Sequence, residues 1–196
     1  DKLDVNRELN NILKKTDLFN SVVQDILVIS DNGYYFTTIG QDGLAANYDY
    51  WSKEWYQKAK DTTGNVYVHI LGLHNQDFYS KKRAITAKNK TFSISFALQN
   101  SKGKVSGALI YNFDITQLAE VLGASNYEEN GKVAILNEEG VIMSRSDNSD
   151  IGSMLKVSER DREIMKREKT GSFWTKVDGK EHFVSFQTTS MGLKLV

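Results

Sequence analysis

The stretch Phe92 to Asp114, FSISFALQNSKGKVSGALIYNFD, constrains this chain more than any other, because it reads as a β-hairpin whose two faces differ in kind. With Asn100-Ser101-Lys102-Gly103 as the loop, the facing pairs follow from the alternation of side chains along a pleated strand. One face carries Leu98/Val105, Phe96/Gly107, Ile94/Leu109 and Phe92/Tyr111 and is expected to be the core face. The other carries Ala97/Ser106, Ser95/Ala108, Ser93/Ile110 and Thr91/Asn112. Such small, partly polar side chains cannot fill a core to native density by themselves. Either a helix or a small molecule must cover them.

Around this hairpin the chain alternates helical and strand patterns. Residues 1 to 16 repeat apolar positions at Val5, Leu9, Ile12 and Leu13, the stripe of an amphipathic helix. Ile26 to Ile39 reads as a hairpin turned at Asn32-Gly33. A helix is expected over about Trp51 to Asp61, stopped by Thr62-Thr63-Gly64, then strands at Val66 to Leu71 and Arg83 to Lys88. Asp114, with Gln117 three residues on, starts a short helix that ends at Gly123.

The second half repeats this plan. Val133 to Arg145 overlays Ile26 to Thr38, and the capping box Ser158-Glu159-Arg160-Asp161 opens a helix that overlays the one containing Trp55. Ser172 to Phe186 follows as a hairpin turned at Asp178-Gly179, which the spacing matches to the hairpin turned at Gly103. On that match the first unit is longer by a segment around Gly64 to Lys90. Added loops are where sites are built, so the first unit is the better candidate for function.

Composition narrows the classes. Lys+Arg and Asp+Glu stand at 25 each with no block of like charge, which argues against nucleic acid as a partner. The absence of cysteine removes disulfides, thiol nucleophiles and cysteine-held metals together. His69, His74 and His182 do not pair at helical spacing, so no metal site is expected. With no Gly-x-Ser-x-Gly and no phosphate-binding glycine loop, no catalytic residue and no cofactor are expected either. No apolar run reaches the ~20 residues of a membrane span. The chain starts inside a helical pattern and stops in strand-like Gly192 to Val196, so both ends are expected to be cuts within a longer protein.

Trp55-Tyr56-Gln57-Lys58-Ala59, the strand Gly107 to Ile115 entering a helix, and Ile151-Gly152 with Gly171-Ser172-Phe173 together resemble the double Cache sensor domain of bacterial receptors. The resemblance implies an α+β fold with a long N-terminal helix at 1–19, then two PAS-like antiparallel-sheet units. These are a membrane-distal ligand-binding unit at 20–118 and a smaller membrane-proximal unit at 119–196. It further implies an extracytoplasmic sensing module of a transmembrane histidine kinase or chemoreceptor, homodimeric at full length, with its adjoining transmembrane helices outside this chain. The competing reading is a structural or protein-interaction module of the same fold without a small ligand.

In relatives that bind amino acids, the resemblance implies a tyrosine, an arginine two residues before a Trp-Tyr pair, that pair, and an aspartate on the last distal strand. Here these positions hold Tyr48, Lys53, Trp55, Tyr56 and Asn112, with Asp114 two residues further on. Lysine is a point charge where arginine is a fork, and asparagine cannot neutralise an ammonium group, so the ligand is left open among amino acid, carboxylate and sugar. Trp51 lies on the same helix face as Trp55 and fits either a core or a pocket wall, while Asp114 also suits the N-cap of the helix it precedes. His74 and Asp77 are candidates at the pocket mouth, and His182 reads as structural.

Overall fold

The Asn32-Gly33 turn does what its sequence requires: Gly33 takes φ +88° and lets β1 (Val23–Ser30) fold back on β2 (Tyr35–Thr37), with Val28 opposite Phe36. In a computed structural model that describes residues 22–38, 44–45, 47–63, 68–75, 78–80, 90–124 and 131–196, the chain divides into two units, Asp1–Asp114 and Ile115–Val196. The first continues with α1 (Glu54–Lys60), β3 (Val68–Asn75), β4 (Lys90–Gln99) and β5 (Val105–Phe113). Its strands form one antiparallel sheet in the order β2-β1-β5-β4-β3. The helix expected at residues 1–19 and the strand expected at Arg83 to Lys88 lie outside the described residues.

The hairpin β4–β5 forms, with a register two residues from the expected one: Ser93 pairs with Asn112, Ser95 with Ile110 and Ala97 with Ala108. The loop is wider than four residues. Asn100 N donates to Lys104 O at 2.9 Å, and the Asn100 side chain accepts from the amides of Lys102 and Lys104 at 3.0 and 3.1 Å. An irregularity between Leu98 and Gln99 absorbs the remaining residue. Because the shift is even, both faces keep their members.

The small face is covered, as expected, and is the deeper of the two: Thr91, Ser93, Ser95, Ala108 and Asn112 are 0% exposed, while on the large-residue face Phe92 and Ile94 are buried and Phe96, Leu98, Leu109 and Tyr111 only half-buried. The small face is the floor of the core. Large rings fill the space above it: Tyr50, Tyr56, Phe78 and Tyr79 pack with Leu27, Ile29 and Ile110. Big residues facing small ones reach native density as well as two rows of medium ones.

Helix α1 is pinned to the β1–β2 turn. The Trp51 indole donates to Ser30 O at 3.0 Å, the Tyr56 hydroxyl to Asp31 at 3.0 Å, and Lys60 reaches the same carboxylate at 2.6 Å. The helix starts at Glu54 rather than Trp51 because the Asp49 side chain captures the amides of Trp51 and Ser52 at 3.1 and 3.2 Å, holding them in a turn.

The second unit holds α2 (Ile115–Ala124), β6 (Ala134–Leu136), β7 (Ile142–Arg145), α3 (Glu159–Arg167), β8 (Thr170–Val177), β9 (Lys180–Thr188) and β10 (Lys194–Leu195). Its sheet order, β7-β6-β10-β9-β8, is the order of the first sheet. Strand order corrects one match. The Asp178-Gly179 hairpin is β8–β9, the counterpart of β3 and β4, and the Gly103 turn corresponds to the turn at Gly192 that precedes β10. The extra length of the first unit thus flanks β3, which itself has the counterpart β8. The capping box at α3 is formed: Ser158 accepts from Asp161 N at 3.1 Å, and the Asp161 carboxylate takes hydrogen bonds from Ser158 at 2.7 Å and Thr175 at 2.8 Å. The Ser158 hydroxyl foremost, with Thr175, holds the Asp161 carboxyl below its ordinary range against the opposing effect of burial. The division at 114/115, against 118/119 in the sequence, assigns α2 to the second unit, where it packs on β7.

Gly107 sits in β5 with no room for a side chain, since a Cβ there would lie 2.3 Å from Ile29 O on the neighbouring strand. Gly107→Ala should cost about 2 to 3 kcal/mol in urea denaturation. Gly123→Ala, where the nearest atom is Ser146 O at 3.6 Å, should cost nothing.

Candidate functional site

A β-bulge between Val23 and Asp25 sets Asp25 opposite Asn112, on the face that also carries Leu27 and Ile29. Bulges re-aim side chains in this way beside sites. Asp25 is 2% exposed and Asn112 0%. The Asn112 amide nitrogen donates to Asp25 Oδ1 at 2.9 Å and lies 3.4 Å from the Tyr79 hydroxyl, while Ser93 donates to Asn112 Oδ1 at 2.6 Å. The Tyr79 hydroxyl donates to Asp25 Oδ2. Three strands and the segment at Tyr79 thus build one buried polar floor. Such a carboxylate costs free energy in a core unless hydrogen bonds surround it, which accounts for the Asn112 and Tyr79 donors.

Rings cover this floor. Tyr50 lies at centroid distances of 5.4 Å from Tyr35, 4.8 Å from Tyr48 and 6.3 Å from Trp55. Phe78 is 5.9 Å from Trp55 and 4.4 Å from Tyr79. Lys53 Nζ stands 4.6 Å from the Tyr48 ring centre, within cation–π range. Among the described residues the buried hydroxyls of Tyr50, Ser80, Thr91 and Ser144 have no hydrogen-bond partner, and Tyr50 belongs to this ring cluster. Burial pushes the Tyr50 phenol well above its ordinary range, and Tyr35 and the charge of Asp25 push the same way.

Of the residues singled out in the sequence, Tyr48, Lys53, Trp55 and Asn112 fall in or around this cluster. Trp51 and Tyr56 turn their polar atoms to the β1–β2 turn, as described above, although Trp51 keeps ring contact with Tyr50. Asp114 stands just beyond β5, its amide bonded to Val22 O at 2.9 Å, immediately before α2. The backbone of His74 pairs with Thr91, its side chain lies outside what is described, and Asp77 lies outside the described residues. Sequence reasoning missed Asp25, Tyr50, Phe78 and Tyr79. Asp25 carried a signal, an acid in alternation with Leu27 and Ile29. Among the described residues no group of three or more His, Cys, Asp or Glu could hold a metal ion, and no helix is long and apolar enough to cross a membrane.

The Cache domain family model matches residues 1–196. No curated protein matches the sequence. Among solved structures, the chain is similar to the ligand-binding domain of the Pseudomonas aeruginosa PAO1 amino acid chemoreceptor PctB in complex with L-Arg, at 15% identity over 96% of this chain and 70% of that one, with a TM-score of 0.67. The extracellular domain of rpHK1S-Z16, assigned as a histidine kinase, matches at 13% identity over 97% and 74%, with a TM-score of 0.72. The ligand-binding domain of the Pseudomonas fluorescens chemoreceptor CtaA in complex with L-serine matches at 15% identity over 93% and 75%, with a TM-score of 0.63. At these identities the likeness is one of fold.

Asn112 holds the floor together, so replacing it strands two partners at once. Asn112→Leu should lower stability by about 2 to 4 kcal/mol in urea denaturation, because the Ser93 hydroxyl and one Asp25 oxygen lose their bonds in a dry site.

Proposed function

The chain belongs to the Cache domain family, and from that premise we propose that it is the extracytoplasmic small-molecule sensing module of a transmembrane signalling receptor, a histidine kinase or chemoreceptor. The module itself is non-catalytic. The observation that carries this reading is the buried polar floor of Asp25, Asn112, Ser93 and Tyr79 beneath a cluster of aromatic rings in the first unit. Apolar walls with a few convergent polar groups are what a small-molecule site requires. PctB with L-Arg and CtaA with L-serine are relatives in fold whose ligands are amino acids, which supports the same class of ligand here. Carboxylates and sugars remain in the proposed set, with Lys53 as the group that would hold an anionic end.

One observation favours the competing reading of a structural or protein-interaction module. Tyr50 and Phe78 are 2% and 1% exposed, so the rings close over the floor, and a ligand enters only by exchanging ring contacts for its own. In the full-length receptor we propose a homodimer through the amphipathic stripe of residues 1–16, with membrane-spanning helices supplied by the receptor beyond this chain.

A thermal-shift screen of amino acids, sugars and small carboxylates separates the two readings. A ligand at a hundred times its Kd should stabilise the native state by about 2.7 kcal/mol and raise Tm by several degrees. If the ligand carries a carboxylate, Lys53→Ala should weaken its binding by about 2 to 5 kcal/mol in calorimetric titration. No shift with any compound favours the structural reading, and unchanged affinity in the variant places the anion elsewhere.

A further inference from the structure

We propose that β8 is a docking edge for a second copy of this chain, the two β8 strands pairing antiparallel about a two-fold axis that passes at Trp174. The surface belongs to the second unit, and it is separate from the contact proposed for residues 1–16. An edge strand offers unpaired N–H and C=O groups to any other chain, and proteins blunt such edges by shortness, by bulges or by covering them. Among the described residues each of the two sheets has two edge strands. Three of them are blunted. β2 has 3 residues. β7 has 4, its pairing is irregular, and the Ile142 N–H and C=O are taken up by Ser153 O and Gly152 N. β3 is interrupted by a register shift between Ile70 and Gly72. β8 is left long and regular, 8 residues paired one for one with β9.

The same strand carries an exposed ring. Thr175 turns towards α3, its hydroxyl bonded to the Asp161 carboxylate, so Trp174 points to the opposite face. Trp174 is 69% exposed and its cross-strand neighbour Phe183 58%, the highest values of any large apolar side chains among the described residues. Their ring centres are 5.3 Å apart.

The hairpin turn decides which backbone groups face outward. Asp178 and Gly179 take φ +50° and +80°, as a two-residue type I′ turn requires, so Val177 and Lys180 form the hydrogen-bonded pair that closes it. Such pairs alternate along an antiparallel ladder. The N–H and C=O groups of Thr170, Ser172, Trp174 and Lys176 are therefore directed away from β9. Charge then selects the occupant and its register. With Trp174 facing Trp174 of the second copy, Lys176 faces Ser172, and Asp178 faces Thr170 beside Lys169. Centring on Phe173 instead sets Asp178 against Glu168, centring on Lys176 sets that lysine against itself, and both are destabilising. Centring on Ser172 or Thr175 shortens the ladder. In the favoured register the two sheets join into one with no β8 edge left over, which closes the contact at two copies. A single strand pair falls in the small-interface class, below about 1,200 Å² in total, so the contact is weak in solution.

The test is sedimentation equilibrium of the chain from about 10 μM to about 1 mM, the range in which a contact of this size should show. The expected result is a reversible monomer–dimer equilibrium within that range. Ser172→Pro removes an outward N–H where an edge strand accepts proline, and should weaken the dimer by about 10-fold or more without lowering Tm. If far-UV circular dichroism finds that variant unfolded, Trp174→Lys decides, since it sets two like charges on the axis. The chain has no cysteine, so a mixture of the single variants Ser172→Cys and Lys176→Cys should form the mixed disulfide under mild oxidation, their Cα atoms being about 5.5 Å apart in the paired strands. The proposal is overturned if the chain stays monomeric throughout, which leaves the edge to an extended segment of a different protein. It is also overturned if the deciding variant dimerises unchanged, which assigns self-association to another surface, or if each cysteine variant forms its own disulfide as readily as the mixed one.

Discussion

A sheet face made of serine, threonine, alanine and asparagine cannot fill the volume above it, and the whole first unit depends on how that deficit is met. The aromatic residues from Tyr48 to Tyr56, with Phe78 and Tyr79, meet it by placing rings over side chains too small to collide with them. For this to hold, helix α1 must stay at one height above the sheet. The bonds from Trp51 to Ser30 O and from Tyr56 to Asp31 fix that height from the β1–β2 turn, outside the polar floor. Trp51 and Tyr56 thus act twice, as rings of the cluster and as the anchors that hold the helix to the turn.

Beneath the rings, the same small residues make room for a polar network that a row of leucines would exclude. Asp25, Asn112, Ser93 and Tyr79 satisfy one another through four hydrogen bonds. Such a network is stable only when its members are all partnered, and losing one strands the rest. The second unit uses the same strand order with a different solution. There Ser158 caps α3, and the buried Asp161 carboxylate, accepting from Ser158 and Thr175, ties the start of the helix to the sheet.

Much of this was legible in the residues. The turns at Asn32-Gly33 and Asp178-Gly179, the capping box at Ser158, and the division of the β4–β5 hairpin into two unlike faces are local signals that the structure keeps. Which face lies deeper was not legible, because depth depends on the rings brought in from Tyr50 and Phe78, far along the chain. The register escaped for a local reason, since the Asn100 side chain closes a wider loop than its four-residue appearance suggests. The match of Ser172–Phe186 to the wrong hairpin arose from two similar glycine turns, which only strand pairing tells apart. Tyr48, Lys53, Trp55 and Asn112 are positions that the family resemblance implies, and they lie in or around the ring cluster, whereas the resemblance does not include Asp25, whose one signal is its alternation with Leu27 and Ile29.

The central claim is that the polar floor of the first unit is a place where a small molecule binds. The most direct measurement is a crystal structure grown with the tightest compound from the screen at saturating concentration. The account predicts that compound inside the first unit, with one of its polar atoms within about 3.2 Å of the Asp25 carboxylate and the Tyr48 and Tyr50 rings moved aside. A compound held in the second unit, or a floor still closed under its own rings while the compound sits elsewhere, would contradict it.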